Sequence, residues 1–174
     1  DLTGSDGKVE QAKGEDRAWV PWKTWKTQAV NLLRSSGLGT LIGVLPGVGA
    51  NVGSLAAYMT AKRASKTPEQ FGKGSEEGIV ASEAANNATV GGALIPLIAL
   101  GVPGSVIGAV LLGALIVHGL QPGPLLFRQN PEAVYAIIGS VLVANVMMFA
   151  LMLGGARWIA RLSAVPQQVM MPVI

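Results

Sequence analysis

Residues 84–127 run for 44 positions without a charged side chain. A chain of 174 residues has too little other protein to hide such a run inside a soluble core. Two more uncharged stretches flank it, at 37–61 and 133–156. A membrane-spanning helix needs about 20 predominantly apolar residues, and each stretch is long enough. The charged fraction is 13%, against about 25% in ordinary soluble domains. The expected fold class is therefore an all-α integral membrane protein with several membrane segments. The polar start at Asp1, without an initiator methionine, and the apolar turn of the last residues lead us to expect a portion of a longer permease.

Composition removes several kinds of chemistry. Cysteine is absent, so disulfides, thiolate metal sites and cysteine nucleophiles are excluded. His118 is the single histidine, and no aspartate follows Asp16. Only Glu83 and His118 could titrate near membrane depth, too few for an acid, base or metal centre. The expectation is no enzyme, no catalytic residues and no metal site. The net charge of +3 is carried by residues before position 37, by residues between 62 and 83, and by Arg128, Glu132, Arg157 and Arg161. No basic stripe with interleaved aromatics forms, so nucleic acid is not an expected partner.

The organisation reads as four parts: a hydrophilic loop over 1–18, an amphipathic interfacial helix over 19–36, a transmembrane transport portion over 37–161, and the start of a further membrane segment over 162–174. Trp19, Trp22 and Trp25 with Lys23 and Lys26 suit the headgroup zone of a bilayer. The first uncharged stretch is interrupted at Pro46 and Gly47, where proline removes an amide donor and glycines loosen the helix. Basic residues at both ends, Arg34 and then Lys62 with Arg63, favour a re-entrant hairpin, with a kinked single span as the alternative. Thr67-Pro68-Glu69-Gln70 carries the signature of a helix start, a threonine cap with proline first and glutamine closing a capping box. The second stretch breaks at Pro103 and Gly104 after Pro96, and ends in the turn His118-Gly119-Leu120-Gln121-Pro122-Gly123-Pro124. Asn130-Pro131-Glu132 opens a last helix that reaches Trp158 and Arg161.

Irregular backbone at membrane depth leaves amides and carbonyls unpaired. It is tolerated where it is buried in protein or lines a wet cavity. Half-helix N-termini present amides and partial positive charge to anions, and transporters place binding sites at paired breaks of this kind. Pro46 and Pro103 are the expected hinges or breaks. Gly47, Gly49, Asn51, Asn86, Asn87, Gly104 and Ser105 are the candidate substrate-binding residues. Glu83 is the candidate ion-coupling residue, although a solvated helix-start carboxylate fits it too. The glycine loop at 47–53 misses the dinucleotide spacing and has no P-loop lysine, so nucleotide binding is rejected. Gly39 and Gly43 fit close helix packing. A membrane scaffold or anchor that binds partner proteins without transporting is the rival class. It accounts for the tryptophans but not for two glycine-proline breaks.

Five strings in order carry a resemblance: Gly43-Val44-Leu45-Pro46-Gly47-Val48-Gly49-Ala50, Phe71-Gly72-Lys73-Gly74, Glu83-Ala84-Ala85-Asn86-Asn87-Ala88, Leu100-Gly101-Val102-Pro103-Gly104-Ser105, and the turn from His118 to Pro124. Together they resemble the large membrane subunit (TctA) of the tripartite tricarboxylate transporter family, best over residues 25–127. The resemblance implies part of the second half of a longer inverted-repeat secondary transporter in the bacterial inner membrane, multi-pass and set in the lipid bilayer. It implies a small membrane subunit and a periplasmic solute-binding protein as partners, and a carboxylate as substrate. It also implies uptake by symport down an ion gradient, with Na+ or H+ as the coupling cation and no other cofactor.

Overall fold

The computed structural model describes residues 20–163, with side chains as far as Gly155. The loop expected over 1–18, Trp19 and the segment from 164 onward lie outside the described residues, as do the side chains of Arg157, Trp158 and Arg161. The described residues are helical, with no strand among them. In chain order the helices are α1 (Trp22–Val44), α2 (Gly49–Ala64), α3 (Glu76–Leu100), α4 (Val106–Val117), α5 (Leu126–Gln129) and α6 (Pro131–Ser163). The chain divides into two compact units, one spanning Trp22–Val143 and the other combining Asp1–Pro21 with Ala144–Ile174. The described part of the second unit is the continuation of α6.

In the first unit α1, α2 and α3 pack on one another. Each buries a stripe of small residues: Asn31, Ser35, Gly39 and Gly43 on α1, then Gly53, Ala57 and Ala61 on α2, and Gly78, Ala81, Ala85, Thr89 and Gly92 on α3. The four-residue spacing keeps each stripe on one helix face. Small side chains then let the backbones approach closely. A Cβ on Gly39 would overlap the Ala85 carbonyl oxygen, one on Gly43 the Thr89 carbonyl oxygen, and one on Gly92 the Thr40 carbonyl oxygen. α1 and α3 run parallel, because Asn31 meets Glu77 and Gly39 meets Ala85 in the same direction. At the outer end of this seam the Asn31 amide donates to the Glu77 carbonyl at 2.9 Å, and Arg34 donates to Asn31 Oδ1 at 2.8 Å.

α1 passes through position 36 without a break, so the expected interfacial stretch and the start of the first uncharged stretch share one helix. Its mate α2 returns after a turn over 45–48, in which Gly47 and Gly49 take positive φ of 80° and 78°. α1 and α2 thus form a helical hairpin, and a single kinked rod is excluded.

The helix expected to start at Thr67 does not develop. Pro68–Gln70 makes one 3-10 turn, and the Thr67 side chain caps nothing. Positive φ at Gly72 (89°) and Gly74 (90°) ends the turn before helical bonds can propagate. Phe71, 6% exposed, packs on Ala61 and Ala81 and meets Tyr58 edge to face, with ring centroids 5.2 Å apart. The cap that works is Ser75, whose hydroxyl accepts the Gly78 amide at 3.2 Å and starts α3.

Pro96 lies inside α3 without breaking it. The helix stops at Gly101, with φ 71°, whose amide donates to the Leu97 carbonyl while Val102 N–H reaches Pro96 O. The turn containing Pro103 then leads to Ser105, which caps α4 by accepting the Gly108 amide at 3.1 Å. After α4 the chain folds back, and Gly123 donates to the Ile98 carbonyl at 2.9 Å. Leu126, Ile98 and Val134 close a small core there. α6 starts at Pro131, and its stretch Pro131–Gly155 is the one helix among the described residues long and apolar enough to cross a membrane.

Candidate functional site

The two helix breaks meet. Gly104 sits against Ala93 of α3 and the end of α1, with an ideal Cβ 3.4 Å from Ala93 Cβ and 3.7 Å from the Gly43 carbonyl oxygen. Beside it lies a cavity of about 130 Å³. Gly43 at the end of α1, Gly49 and Ala50 at the start of α2, and Gly104, Ser105 and Gly108 at the start of α4 line it. Aliphatic side chains, among them Val90, Leu94 and Leu97, make up much of the remaining wall. Thr89 and Ser105 bring the hydroxyls, and no charged side chain lines the cavity.

Two helix N-termini therefore open on one space. The first-turn amides of a helix have no carbonyl within that helix to receive them. At α4 the Ser105 hydroxyl takes the Gly108 amide, which leaves earlier amides of the turn for another acceptor. At α2 Val48 stands in the cap position and no side chain caps it. Both ends carry the positive pole of the peptide dipoles. Helix N-termini can receive an anion, here beside a lining that is mainly apolar.

The other expected site residues fall elsewhere. Gly47 lies in the turn with open space around it. Asn51 is exposed and lines a shallow groove of about 290 Å³ with Ser54, Leu55, Tyr58 and Ser82, between α2 and α3. Asn86 joins the edge of this groove by donating to Ser54 Oγ at 3.3 Å. Asn87 is exposed and donates to the Glu83 carbonyl at 3.0 Å. Glu83 is exposed two turns into α3, rather than at its start. The candidates thus separate into an apolar-walled cavity holding Gly49, Gly104 and Ser105, and a neutral polar groove holding Asn51 and Asn86. Ser54 and Tyr58 were not among the expected residues. Their spacing from Asn51 of three and seven residues, one helical face, was the available signal. Thr89 is a polar residue near the start of the uncharged run 84–127, and its place at the helix crossing depends on which faces pack. Among the described residues no cluster of His, Asp or Glu could hold a metal ion.

Paired helix breaks beside a common cavity are an arrangement that membrane transporters use at their binding sites. The sequence pattern of the tripartite tricarboxylate transporter TctA family matches residues 2–174, and the chain belongs to that family. The match extends past the 25–127 core of the resemblance to nearly the full length, and it makes the chain a transporter component and not an enzyme. The chain is 33% identical over 156 residues to an uncharacterised 52.8 kDa protein in the TAR-I ttuC' 3' region of Agrobacterium vitis, covering 90% of this chain and 31% of that protein. It is 36% identical over 136 residues to an uncharacterised protein in the TAR-II ttuC' 3' region of the same organism, covering 78% of this chain and 56% of that protein. The chain thus spans about a third of the first relative and little more than half of the second. No solved structure matches it.

Proposed function

We propose that this chain is part of a multi-pass permease subunit in the bacterial inner membrane. The permease imports tricarboxylates or related carboxylates by ion-coupled, binding-protein-dependent secondary transport. Family membership supports the class of activity. The convergence of the α2 and α4 N-termini on one cavity is the single observation that carries the site.

In this reading a carboxylate group sits among the amides near Gly49 and Gly104 and the hydroxyl of Ser105, where helix dipoles offset its charge without a cationic side chain. The α1–α2 hairpin acts as a re-entrant element that reaches the site and returns. Asn51, Asn86 and Asn87 line the aqueous approach, and Gly47 with Pro46 and Pro103 forms the hinges. Glu83 faces that approach as the ligand for Na+ or H+. A small membrane subunit and a periplasmic solute-binding protein complete the system, and the binding protein delivers the substrate. Alternating access then follows from movement of the hairpin against α3 and α4.

The test is uptake of labelled carboxylates by the full-length protein with its partner subunits in proteoliposomes. Ser105→Val keeps an extended backbone at a position with φ −155° and ψ 168°, and removes the hydroxyl. The expected result is a rise in KM of about tenfold, the scale of one hydrogen bond to a charged group. An unchanged KM at normal membrane abundance removes the cavity from the site. Normal uptake by Asn86→Leu and Asn87→Leu removes those two residues from the path.

A further inference from the structure

Three helices cross at Thr89, which is 3% exposed. Its hydroxyl donates to the Ala85 carbonyl of its own helix at 2.7 Å and stands 3.1 Å from the Gly39 carbonyl of α1. From the other side α2 presses in, and a Cβ on Gly53 would lie 2.6 Å from Thr89 Oγ1. Its main-chain carbonyl occupies the space that a side chain on Gly43 would need. The residues that meet it, Gly39, Gly43, Gly53 and Ala85, offer contact but no side-chain hydrogen bond, and the other side-chain bonds between these helices, Asn31 to the Glu77 carbonyl and Asn86 to Ser54, lie elsewhere along the seams. One hydroxyl proton therefore serves two acceptors on two helices, against a third helix that has made room for it.

The same residue lines the cavity. Gly49 lies one turn before Gly53 on α2, and Ala93, the neighbour of Gly104, lies one turn after Thr89 on α3. A shift of the crossing would carry the α2 N-terminus toward or away from the α4 N-terminus. We infer that Thr89 is a positioning residue for the carboxylate site: its hydroxyl fixes the α1–α2 hairpin on α3 at the separation that lets both N-termini reach one anion. The inference rests on the import reading for its functional half and on helix packing alone for its structural half.

Valine has the shape of threonine without the hydroxyl, and serine keeps the hydroxyl without the methyl. In full-length protein with its partner subunits in proteoliposomes, Thr89→Ser should take up labelled citrate with KM and maximal rate near those of the unaltered protein. Thr89→Val should raise KM about threefold to fifteenfold, the range set by single interhelical hydrogen bonds in membranes, with the maximal rate less affected. The reverse order, or two silent variants, means that only volume counts at this position and overturns the proposal. A second measurement holds even if the valine variant fails to accumulate. Gly53→Ala should lower the melting temperature of the detergent-solubilised protein, and that loss should vanish when Thr89→Ala is also present. Additive losses in this cycle overturn the clamp itself. An unaltered protein that transports no labelled carboxylate would end the import reading, while the melting cycle still decides the clamp.

Discussion

Gly37, Gly39, Gly43 and Gly92 all look alike in the sequence, yet they occupy opposite situations. Gly39, Gly43 and Gly92 stand where a neighbouring backbone occupies the Cβ position, whereas nothing lies within 4 Å of a Cβ built on Gly37. Gly39→Ala should therefore destabilise the solubilised protein by about 1–3 kcal/mol, the usual cost of forcing atoms into a packed interface. Gly37→Ala should be neutral or gain up to about 1 kcal/mol from helix propensity. Thermal unfolding of the two variants side by side checks the pair. An equal effect would mean that the α1–α3 seam is not packed as described. The sequence suggested that Gly39 and Gly43 serve close packing, because glycines four apart share a helix face. The partners of that face, Ala85, Thr89 and Gly92, could not be read. They depend on register between helices separated by dozens of residues, and single-chain periodicity carries no register.

Turns and caps show a similar division. The breaks at Pro46 and Pro103 were legible because proline and glycine act through local backbone terms that packing seldom overrides. The start of α6 at Pro131 was legible for the same reason. The Thr67 cap was not. It matched a capping box in every position, yet no apolar face follows within reach, and Gly72 and Gly74 end the turn. Ser75 does the capping instead, with Glu76 and Glu77 behind it in the first turn of α3. Ser75→Ala should cost about 1 kcal/mol, within the usual range for removing a cap, and Thr67→Ala should change stability by less than about 0.5 kcal/mol. Urea titration of the solubilised protein distinguishes them. Gly101→Ala meets two obstacles, a positive φ of 71° and the Pro122 carbonyl oxygen 3.0 Å from the new methyl. It should lower the yield of folded protein more than Ser75→Ala does.

The uncharged runs led to the expectation of a membrane protein, and membership of a transporter family is consistent with it. The runs were poorer guides to individual spans. The first divides between α1 and α2, and the second between α3 and the 12-residue α4, about 18 Å long and too short to cross a hydrocarbon core of about 30 Å. Among the described residues one stretch, Pro131–Gly155, meets the requirement by itself, and within it Val134 alone is buried. Val143→Arg, at the middle of that stretch, should cost about 2.5–3.5 kcal/mol in a microsomal insertion assay. Failure of the unaltered stretch to insert in the same assay would show that this helix does not lie across the bilayer. Of the candidate site, the two helix breaks were legible, because the terms that make them are local. The site was illegible where α2 and α3 align Asn51 with Ser54 and Ser82, because side-by-side helices and not neighbouring residues create that groove.

Phe71 gives the connector between α2 and α3 a firm seat. Its ring is held by Ala61, Ala81 and Tyr58 at the polar end of the pair, while the opposite end of α2 begins at glycines with positive φ and no side-chain cap. A pair of tongs riveted at the handle can open only at the tips. A change of packing around Phe71 would tilt α2 about its polar end, and Gly49 at the far end of the helix would be displaced the most.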